Sequence, residues 1–218
     1  MDIQIQTKIE TQFSERPNLV PVVRQLPADL ETPISAYLKL CGMGPSFLLE
    51  SVTGGEQIAR YSFIGADSSQ AYVLRGRTLE RHDGQGVTKE TLPDCVEPLD
   101  ALRAELAQYR PEPVPDLPRF IGGLVGYVGY DMMRYFEPVL DLQPHAELPD
   151  AIFLLADTVV AFDHAFGRIL LIANAHVDDD EAAALAEAEA RLDALEARLA
   201  GPLPEQSAAG AQVEPTPL

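Results

Sequence analysis

The sequence predicts an α+β fold, with one or more mainly antiparallel sheets and flanking helices. Short β-rich runs separated by turn residues at 70–92 indicate successive antiparallel strands. Two long apolar runs within 148–175 flank a turn at 164–167, which is typical of a hairpin. Residues 178–201 have the pattern of an amphipathic helix. Because strands and helices alternate irregularly, a regular parallel sheet is not favoured.

The first two elements are a strand and a helix. Residues 18–26 are short and β-branched, and Pro21 places this strand at a sheet edge or a bulge. Thr32 can cap the following helix, and Pro33 suits its first position. Gly42 can end that helix, which we expect to stop near Cys41.

In the middle of the chain we predict strands at 46–52 and 59–65, a helix at 98–110 and a Pro-rich loop at 110–118. A glycine-rich strand at 120–128 and a short helix at 130–137 follow. The longer helix has Leu99, Leu102 and Leu106 on one face. Glycines in the 120–128 strand indicate a bulge or a close backbone approach, since their spacing is not that of a dinucleotide-binding turn.

The last helix is the most regular element of the pattern. Its aspartates suit the positive end of the helix dipole, and Gly201 ends it. Its apolar stripe, expected to pack on a sheet, consists of Leu185, Leu192, Leu195 and Leu199. The resulting organisation is a loosely ordered lead-in at 1–16, one domain at 17–201 and a Pro-rich linker or tail at 202–218.

Composition narrows the partners and the cellular setting. The formal net charge of −18 disfavours nucleic acid and anionic membranes as partners. The longest uncharged apolar segment, 120–130, is too short to span a bilayer, and the start of the chain has no hydrophobic stretch typical of a signal peptide. Cys41 and Cys95 are far apart in sequence, so we expect a reduced, cytoplasmic protein.

The motifs of common catalytic sites are missing from the sequence. The four histidines are scattered, and no HExxH, GxSxG or phosphate-binding loop is present. No pair of carboxylates is placed for Mg²⁺ or for acid–base chemistry. We therefore predict no catalytic residue, no metal ligand and no cofactor in this chain.

The stretch FLLESVTGGEQIARYSFIG at 47–65 stands apart, because an apolar strand ends in a carboxylate and a hydroxyl. Glu50 and Ser51 cannot both face the core, since neighbouring strand residues alternate in direction. One interpretation is a strand end that meets water, with Glu50 paired to Arg60. The other is a small pocket for a zwitterion, in which Glu50 takes the ammonium and Arg60 is a candidate for the carboxylate. The residues alone leave both interpretations open.

Four segments taken together resemble the N-terminal region of anthranilate synthase component I. They are NLVPVVRQLPADLETPISAYLKL, FLLESVTGGEQIARYSFIG, FIGGLVGYVGYDMMRYFE and FLLADTVVAFDH, in this order over about 18–200. The LLES motif favours this family over its relative, aminodeoxychorismate synthase component I. By resemblance, Leu49, Glu50 and Ser51 contact the feedback inhibitor L-tryptophan, and Arg60, Tyr61 and Ser62 flank that pocket.

The resemblance also implies the chemistry of the complete enzyme. That enzyme is a lyase of tryptophan biosynthesis, which uses Mg²⁺ to convert chorismate and glutamine-derived ammonia into anthranilate and pyruvate. A glutamine amidotransferase subunit supplies the ammonia. In the family a chorismate-binding domain, with the metal-binding glutamates and a catalytic histidine, follows this region. We expect that domain to be absent from these residues, which leaves the chain catalytically silent and an apolar sheet face exposed.

Two alternative functions stay open at this point. One is the corresponding portion of aminodeoxychorismate synthase component I, from the folate pathway. The other is a stand-alone amino-acid-binding or scaffold module without a catalytic partner.

Overall fold

Two five-stranded sheets organise the chain in the computed structural model, which describes residues 16–42, 44–50, 60–137, 139, 148–178 and 180–204. Residues 1–15 of the predicted lead-in (1–16) and 205–218 of the predicted tail (202–218) lie outside the described residues. The elements in chain order are β1 Leu19–Pro27, α1 Pro33–Leu40, β2 Phe47–Leu49, β3 Tyr61–Gly65, β4 Ala71–Arg75, β5 Thr78–Asp83, β6 Gly86–Thr91, α2 Pro98–Ala107, β7 Gly123–Val128, a 3₁₀ turn Tyr130–Met132, α3 Met133–Phe136, β8 Ala151–Ala156, β9 Thr158–Asp163, β10 Arg168–His176 and α4 Glu181–Leu199.

Every pairing between these named strands is antiparallel. The first sheet has the strand order β1-β10-β9-β3-β2, and the second has the order β6-β5-β4-β8-β7. The predicted α+β class is therefore confirmed. The predicted edge position of β1 is also confirmed, and Pro21 pairs with Asn174 of β10.

Helices α1 and α4 cover one face of the first sheet. The Asp180 side chain caps α4 by accepting a hydrogen bond from the Ala183 N–H, which satisfies a free donor of the first turn. The predicted stripe on α4 is confirmed, because three of its leucines are buried in the core and the fourth packs against it. The buried leucines are Leu192, Leu195 and Leu199, and the partly buried one is Leu185.

The start of α1 follows the predicted capping chemistry. Thr32 and Ser35 form a reciprocal capping box, and Pro33 occupies the first turn. The helix ends at Leu40, and the extended residue Cys41 follows it. The predicted end of this helix is confirmed.

The opposite face of the first sheet is covered by the segment before β7. Ala161, Leu170 and Ile172 are buried there, with Leu117 and Ile121 packed against them. The first sheet therefore has apolar packing on both of its faces.

The predicted single hairpin over 148–175 is only partly right. The β9–β10 hairpin exists, but the run before it breaks at Asp157, so that β8 belongs to the second sheet and β9 to the first. At the break, the Asp157 backbone carbonyl accepts a hydrogen bond from the Asn174 N–H, and the Asp157 carboxylate accepts one from Arg191. These polar contacts hold the point where the chain passes from one sheet to the other.

The second sheet packs mainly on α2. Leu102 is buried and Leu99 packs beside it, whereas Leu106 is 40% exposed, and α2 ends three residues earlier than predicted. Within β7, a Cβ atom at Gly126 would lie 1.8 Å from the Ile152 carbonyl oxygen. The close backbone approach predicted for this glycine-rich strand is therefore confirmed at Gly126.

Candidate functional site

The predicted site residue Leu49 ends β2 on the face of the first sheet that points away from the helices. Its register partner is Phe63 on β3, and Tyr61 lies on the same face because strand residues alternate. Leu49 is 45% exposed. The structure thus brings Leu49 and Tyr61 to one surface.

Aromatic rings border Leu49 on this surface. The ring of Phe120 meets Phe63 edge-on, with 5.3 Å between centroids, and meets Phe47 at 6.3 Å. Tyr61 stacks on Phe63 at 5.8 Å. Edge-to-face and offset packing of this kind suits a further planar ring. We call the group Phe47, Leu49, Tyr61, Phe63 and Phe120 the aromatic face.

Glu50 directly follows β2 and is exposed, so its carboxylate does not carry the desolvation cost of a buried charge. Ser51, the residue to which the resemblance assigns the main tryptophan contact, lies outside the described residues. The ion pair of Arg60 is with Asp163 rather than with Glu50. The Glu50–Arg60 pair offered by the strand-end interpretation is therefore wrong.

Arg60 belongs to a cluster built around a buried carboxylate. Its Nε and Nη2 each donate a 2.9 Å hydrogen bond to Asp163, and the Arg168 Nε donates a third at 3.1 Å. The Arg60 guanidinium also lies over the rings of Tyr61 and Phe166, at 4.8 and 4.9 Å from their centroids. These contacts fix Arg60 beside the aromatic face.

The same cluster explains the charge state of Asp163, whose side chain has no exposed surface. Hydrogen bonds from Arg60, the largest cause, together with those from Arg168, lower the pKa of Asp163 below its ordinary value although burial acts against them. The same bond to Asp163 raises the pKa of Arg60. The cluster is therefore a bidentate, ionised pair with a second arginine attached.

Ser62 does not join the aromatic face. It is buried on the other side of β3, next to Ile64 in the core beneath the helices, and its Oγ lies 2.8 Å from His164 Nε2. Of the three predicted flanking residues, Tyr61 belongs to the aromatic face and Arg60 lies beside it, whereas Ser62 points away from it.

Two findings concern other kinds of site. Within the described ranges, no three His, Cys, Asp or Glu side chains are grouped so that they could hold a metal ion. No helix in those ranges has the length and apolar character needed to cross a membrane.

Asp163 and Phe120 were missed by reasoning from sequence. The visible signal for Asp163 was a carboxylate ending the apolar run VVAFD, with Arg168 five residues later. Its pairing with Arg60 requires the antiparallel alignment of β3 with β9, which places Tyr61 opposite Asp163. Phe120 reaches β3 from a loop, and no local pattern indicates that contact.

Comparison with known proteins identifies relatives over most of the chain. A protein-family profile described as chorismate binding enzyme matches residues 44–216. Anthranilate synthase component 1 of Acinetobacter calcoaceticus is 40% identical over 196 residues, which cover 87% of this chain and 39% of the relative. The protein of the same name from Pseudomonas aeruginosa is 41% identical over 189 residues, which cover 85% and 38%. The chain spans less than two fifths of the length of these curated relatives.

One solved structure is also among the matches. The crystal structure of anthranilate synthase component I from Streptococcus pneumoniae matches with a TM-score of 0.47 and 24% identity. The match covers 78% of this chain and 36% of that one.

Proposed function

This chain belongs to the chorismate-binding enzyme family, and we propose that it is the N-terminal, feedback-regulatory portion of anthranilate synthase component I. The observation that carries the proposal is the identity of about 40% to two proteins of that name, over more than four fifths of this chain. The matched residues include the LLES and ARYSFIG segments of the predicted inhibitor site.

We assign the catalytic chemistry to a chorismate-binding domain joined to this chain in the complete enzyme. There, chorismate and ammonia from a glutamine amidotransferase subunit would give anthranilate and pyruvate with Mg²⁺. The family profile covers residues 44–216, so chorismate binding by this chain needs a direct test. We expect neither chorismate binding nor turnover by the 218 residues alone, measured by calorimetry and by anthranilate fluorescence.

In the proposed inhibitor site, the indole ring of L-tryptophan packs on the aromatic face beside Leu49. A planar ring gains both apolar burial and edge-to-face contacts there. Glu50, which is exposed at the end of β2, takes the ammonium group, and Ser51 donates or accepts a further hydrogen bond.

The proposed flanking residues have different parts. Arg60 uses its Nε and Nη2 for Asp163, so it would reach the ligand carboxylate through Nη1. Tyr61 borders the ring. Ser62 is hydrogen-bonded to His164 on the other side of β3. Ser62 would therefore stabilise the strand and would not contact the ligand.

Regulation then follows from a difference in affinity between two states. Tryptophan bound at the end of β2 would favour an arrangement of the complete enzyme with poor affinity for chorismate. Coupling of this kind is typically worth about 1–3 kcal/mol, or roughly a 5–150-fold change in affinity.

The test substitutes Ser51→Phe in the enzyme that joins this chain to a chorismate-binding domain. We expect the tryptophan concentration for half inhibition to rise about tenfold or more, within the range of allosteric coupling, while uninhibited turnover stays unchanged. Thr88→Phe on the exposed strand β6 is the control, because it adds the same ring away from the aromatic face. Unchanged tryptophan sensitivity of Ser51→Phe would contradict the site assignment.

Two further measurements separate the alternatives. Product analysis distinguishes anthranilate from aminodeoxychorismate. Calorimetry of the 218-residue chain with L-tryptophan tests for a self-contained sensor. We expect weak or undetectable binding, because the resemblance implies that a segment of the later, chorismate-binding portion completes the pocket. Cys41 and Cys95 are free thiols. We propose the cytoplasmic location that was predicted from these cysteines as part of the same function.

A further inference from the structure

A buried carboxylate between two arginines continues the aromatic face along the first sheet. Asp163 on β9 is the register partner of Tyr61 on β3 and of Arg168 on β10. Because cross-strand partners point to the same side of a sheet, Asp163 and Arg168 lie on the side that carries Tyr61 and the rest of the aromatic face. We call Arg60, Asp163 and Arg168 the arginine cluster.

The arginine cluster has more positive than negative charge. Asp163 accepts hydrogen bonds from both arginines, and its side chain has no exposed surface, so its single charge is shared between two cations. Among the described residues, neither Arg60 nor Arg168 forms an ion pair with another carboxylate. One positive charge therefore remains uncompensated in a chain whose formal net charge is −18.

Two other arginines of the chain are paired in the opposite proportion. Arg24 on β1 bonds three carboxylates of α4, and Arg81 on β5 bonds Glu90 and Glu105. Their positive charge is more than offset by these neighbours. The excess of positive charge at the arginine cluster is thus a local property, and it favours an anion there.

The guanidinium of Arg60 presents a second edge that suits such an anion. Its Nε and Nη2 each bind Asp163 at 2.9 Å, and within the described residues no hydrogen bond uses Nη1. The edge formed by Nη1 and the second N–H of Nη2 therefore keeps two parallel donors, the arrangement that matches a carboxylate. The Arg60 side chain is 35% exposed although Nε and Nη2 face a fully buried carboxylate, so a ligand can approach it from solvent.

Aromatic rings hold the two arginines in place. The ring centre of Phe166, in the β9–β10 turn, lies 4.9 Å from the guanidinium carbon of Arg60 and 5.1 Å from that of Arg168. The ring centre of Tyr61 lies 4.8 Å from Arg60. These rings displace water from the guanidinium groups, and a less hydrated cation attracts an anion more strongly. The arginine cluster is therefore positioned and partly desolvated before a ligand binds.

We propose that Arg168 is a positioning residue that sets the carboxylate selectivity of the inhibitor site. By sharing the charge of Asp163, it leaves the second edge of Arg60 with a net positive charge. That edge binds the carboxylate of an aromatic amino acid whose ring packs on the aromatic face, and Arg168 itself does not contact the ligand. This inference rests on the proposed function, and it adds the requirement that the inhibitor have a free carboxylate.

The test compares L-tryptophan with L-tryptophanamide as inhibitors of anthranilate formation, in the enzyme that joins this chain to a chorismate-binding domain. The two molecules share the indole ring and the ammonium group, but the amide lacks the carboxylate. In the parent enzyme we expect half inhibition by L-tryptophan at a concentration at least about tenfold lower, because the amide loses a charge-assisted, bidentate contact. Equal potency of the two molecules would overturn the inference.

Variants of Arg168 test its part in this selectivity. Arg168→Gln removes the extra charge and leaves the Arg60–Asp163 pair, so the ratio of the two half-inhibition concentrations should fall about fivefold. Arg168→Lys keeps the charge and should retain most of the parental ratio. A general loss of stability or of ring packing changes both inhibition constants alike and leaves their ratio unchanged.

Arg81→Gln in the second sheet is the matched control. Arg81 also bonds carboxylates, and its side chain is 32% exposed, against 23% for Arg168. We expect the parental ratio in this variant, because Arg81 lies in a different sheet from the aromatic face.

The outcomes separate this inference from the proposed function. Inhibition by L-tryptophan with the parental ratio in Arg168→Gln would overturn the role of Arg168 and leave the regulatory proposal intact. A ratio that falls equally in Arg168→Lys and Arg168→Gln would show a structural role and would also overturn the inference. Absence of inhibition by L-tryptophan in the parent enzyme would contradict the proposed function and this inference together.

Discussion

The two sheets of this molecule are built differently although both are antiparallel and five-stranded. In the first sheet, β9 and β10 are buried along almost their whole length, beneath helices on one side and a loop segment on the other. In the second sheet, β6 is exposed at every position, and the last three residues of β7 are exposed. The first sheet therefore carries most of the core, and the second presents a more open surface.

The sequences of the strands account for this difference. The β10 run ILLIANA is almost continuously apolar, as expected for a strand that is covered on both faces. In contrast, β5 (TLERHD) and β6 (GVTKET) carry charged residues, which suit strands with one face in water. Burial on two faces also makes the first sheet less tolerant of lost volume, because its surroundings cannot easily relax.

The largest expected effect is that of Leu192→Ala, on the fully buried face of α4. The free energy of unfolding of this variant should fall by about 3–4 kcal/mol. The cavity left by the removed side-chain atoms would lie between a long helix and a sheet that is packed on its other side, so the surroundings cannot easily fill it. Leu102→Ala on α2 is the matched change in the second sheet, and we expect about 2 kcal/mol there. Chemical denaturation measures both, and a larger loss for Leu102→Ala would reverse the comparison.

A smaller effect is expected when a buried carboxylate of each sheet is neutralised. Asp163→Asn leaves Arg60 and Arg168 without their counter-charge and should cost about 2 kcal/mol, because both arginines are partly hydrated. Glu80→Gln in β5 removes an ion pair with the mostly exposed Lys89. We expect this change to lower the free energy of unfolding by about 0.5 kcal/mol. Equal losses of unfolding free energy in the two variants, measured by urea unfolding, would show that the Asp163 cluster contributes no more to stability than the Glu80–Lys89 pair.

The pH dependence of Asp163→Asn sharpens the same comparison. Because the folded-state pKa of Asp163 is lowered, mainly by Arg60, its contribution is complete above the unfolded value of about 3.9 and is lost as the pH falls through the folded value. The stability difference between parent and Asp163→Asn should therefore be constant from pH 7 to 5 and shrink below pH 4. Urea unfolding at pH 7, 5, 4 and 3 measures it. A difference that stays constant to pH 3 would show that Asp163 is not the titrating group.

Much of the fold could be predicted because its signals are local. Thr32, Pro33 and Asp180 act on their own helix ends, and the α4 leucines recur at helical spacing. The break at Asp157 could not be predicted in this way, because AIFLLADTVVAFD reads as one apolar strand. The polar partners that separate β8 from β9, Asn174 and Arg191, come from β10 and α4, and only the assembled fold brings them together.

The candidate site was predictable only in part. The alternation of strand residues correctly separates Leu49 and Tyr61 from Ser62 once the β2–β3 register is known. One of the two interpretations of the sequence pairs Arg60 with Glu50 on the neighbouring predicted strand, whereas the structure supplies Asp163 from β9. Charged side chains select partners by distance in space, and sequence distance is a poor guide to that.

The pairing of β1 with β10 joins opposite ends of the described chain over nine residues. On a ribosome, β1 would emerge long before β10, its neighbour in the described sheet, whereas β3 has β2 as a partner before β9 emerges. Nascent chains that end before β10 would thus hold the apolar strand β1 without its sheet partner. Long-range pairings of this kind form slowly, and the unpaired strand is exposed to chaperones and to other chains in the meantime. Synthesis of β10 is therefore the step that lets β1 join the first sheet.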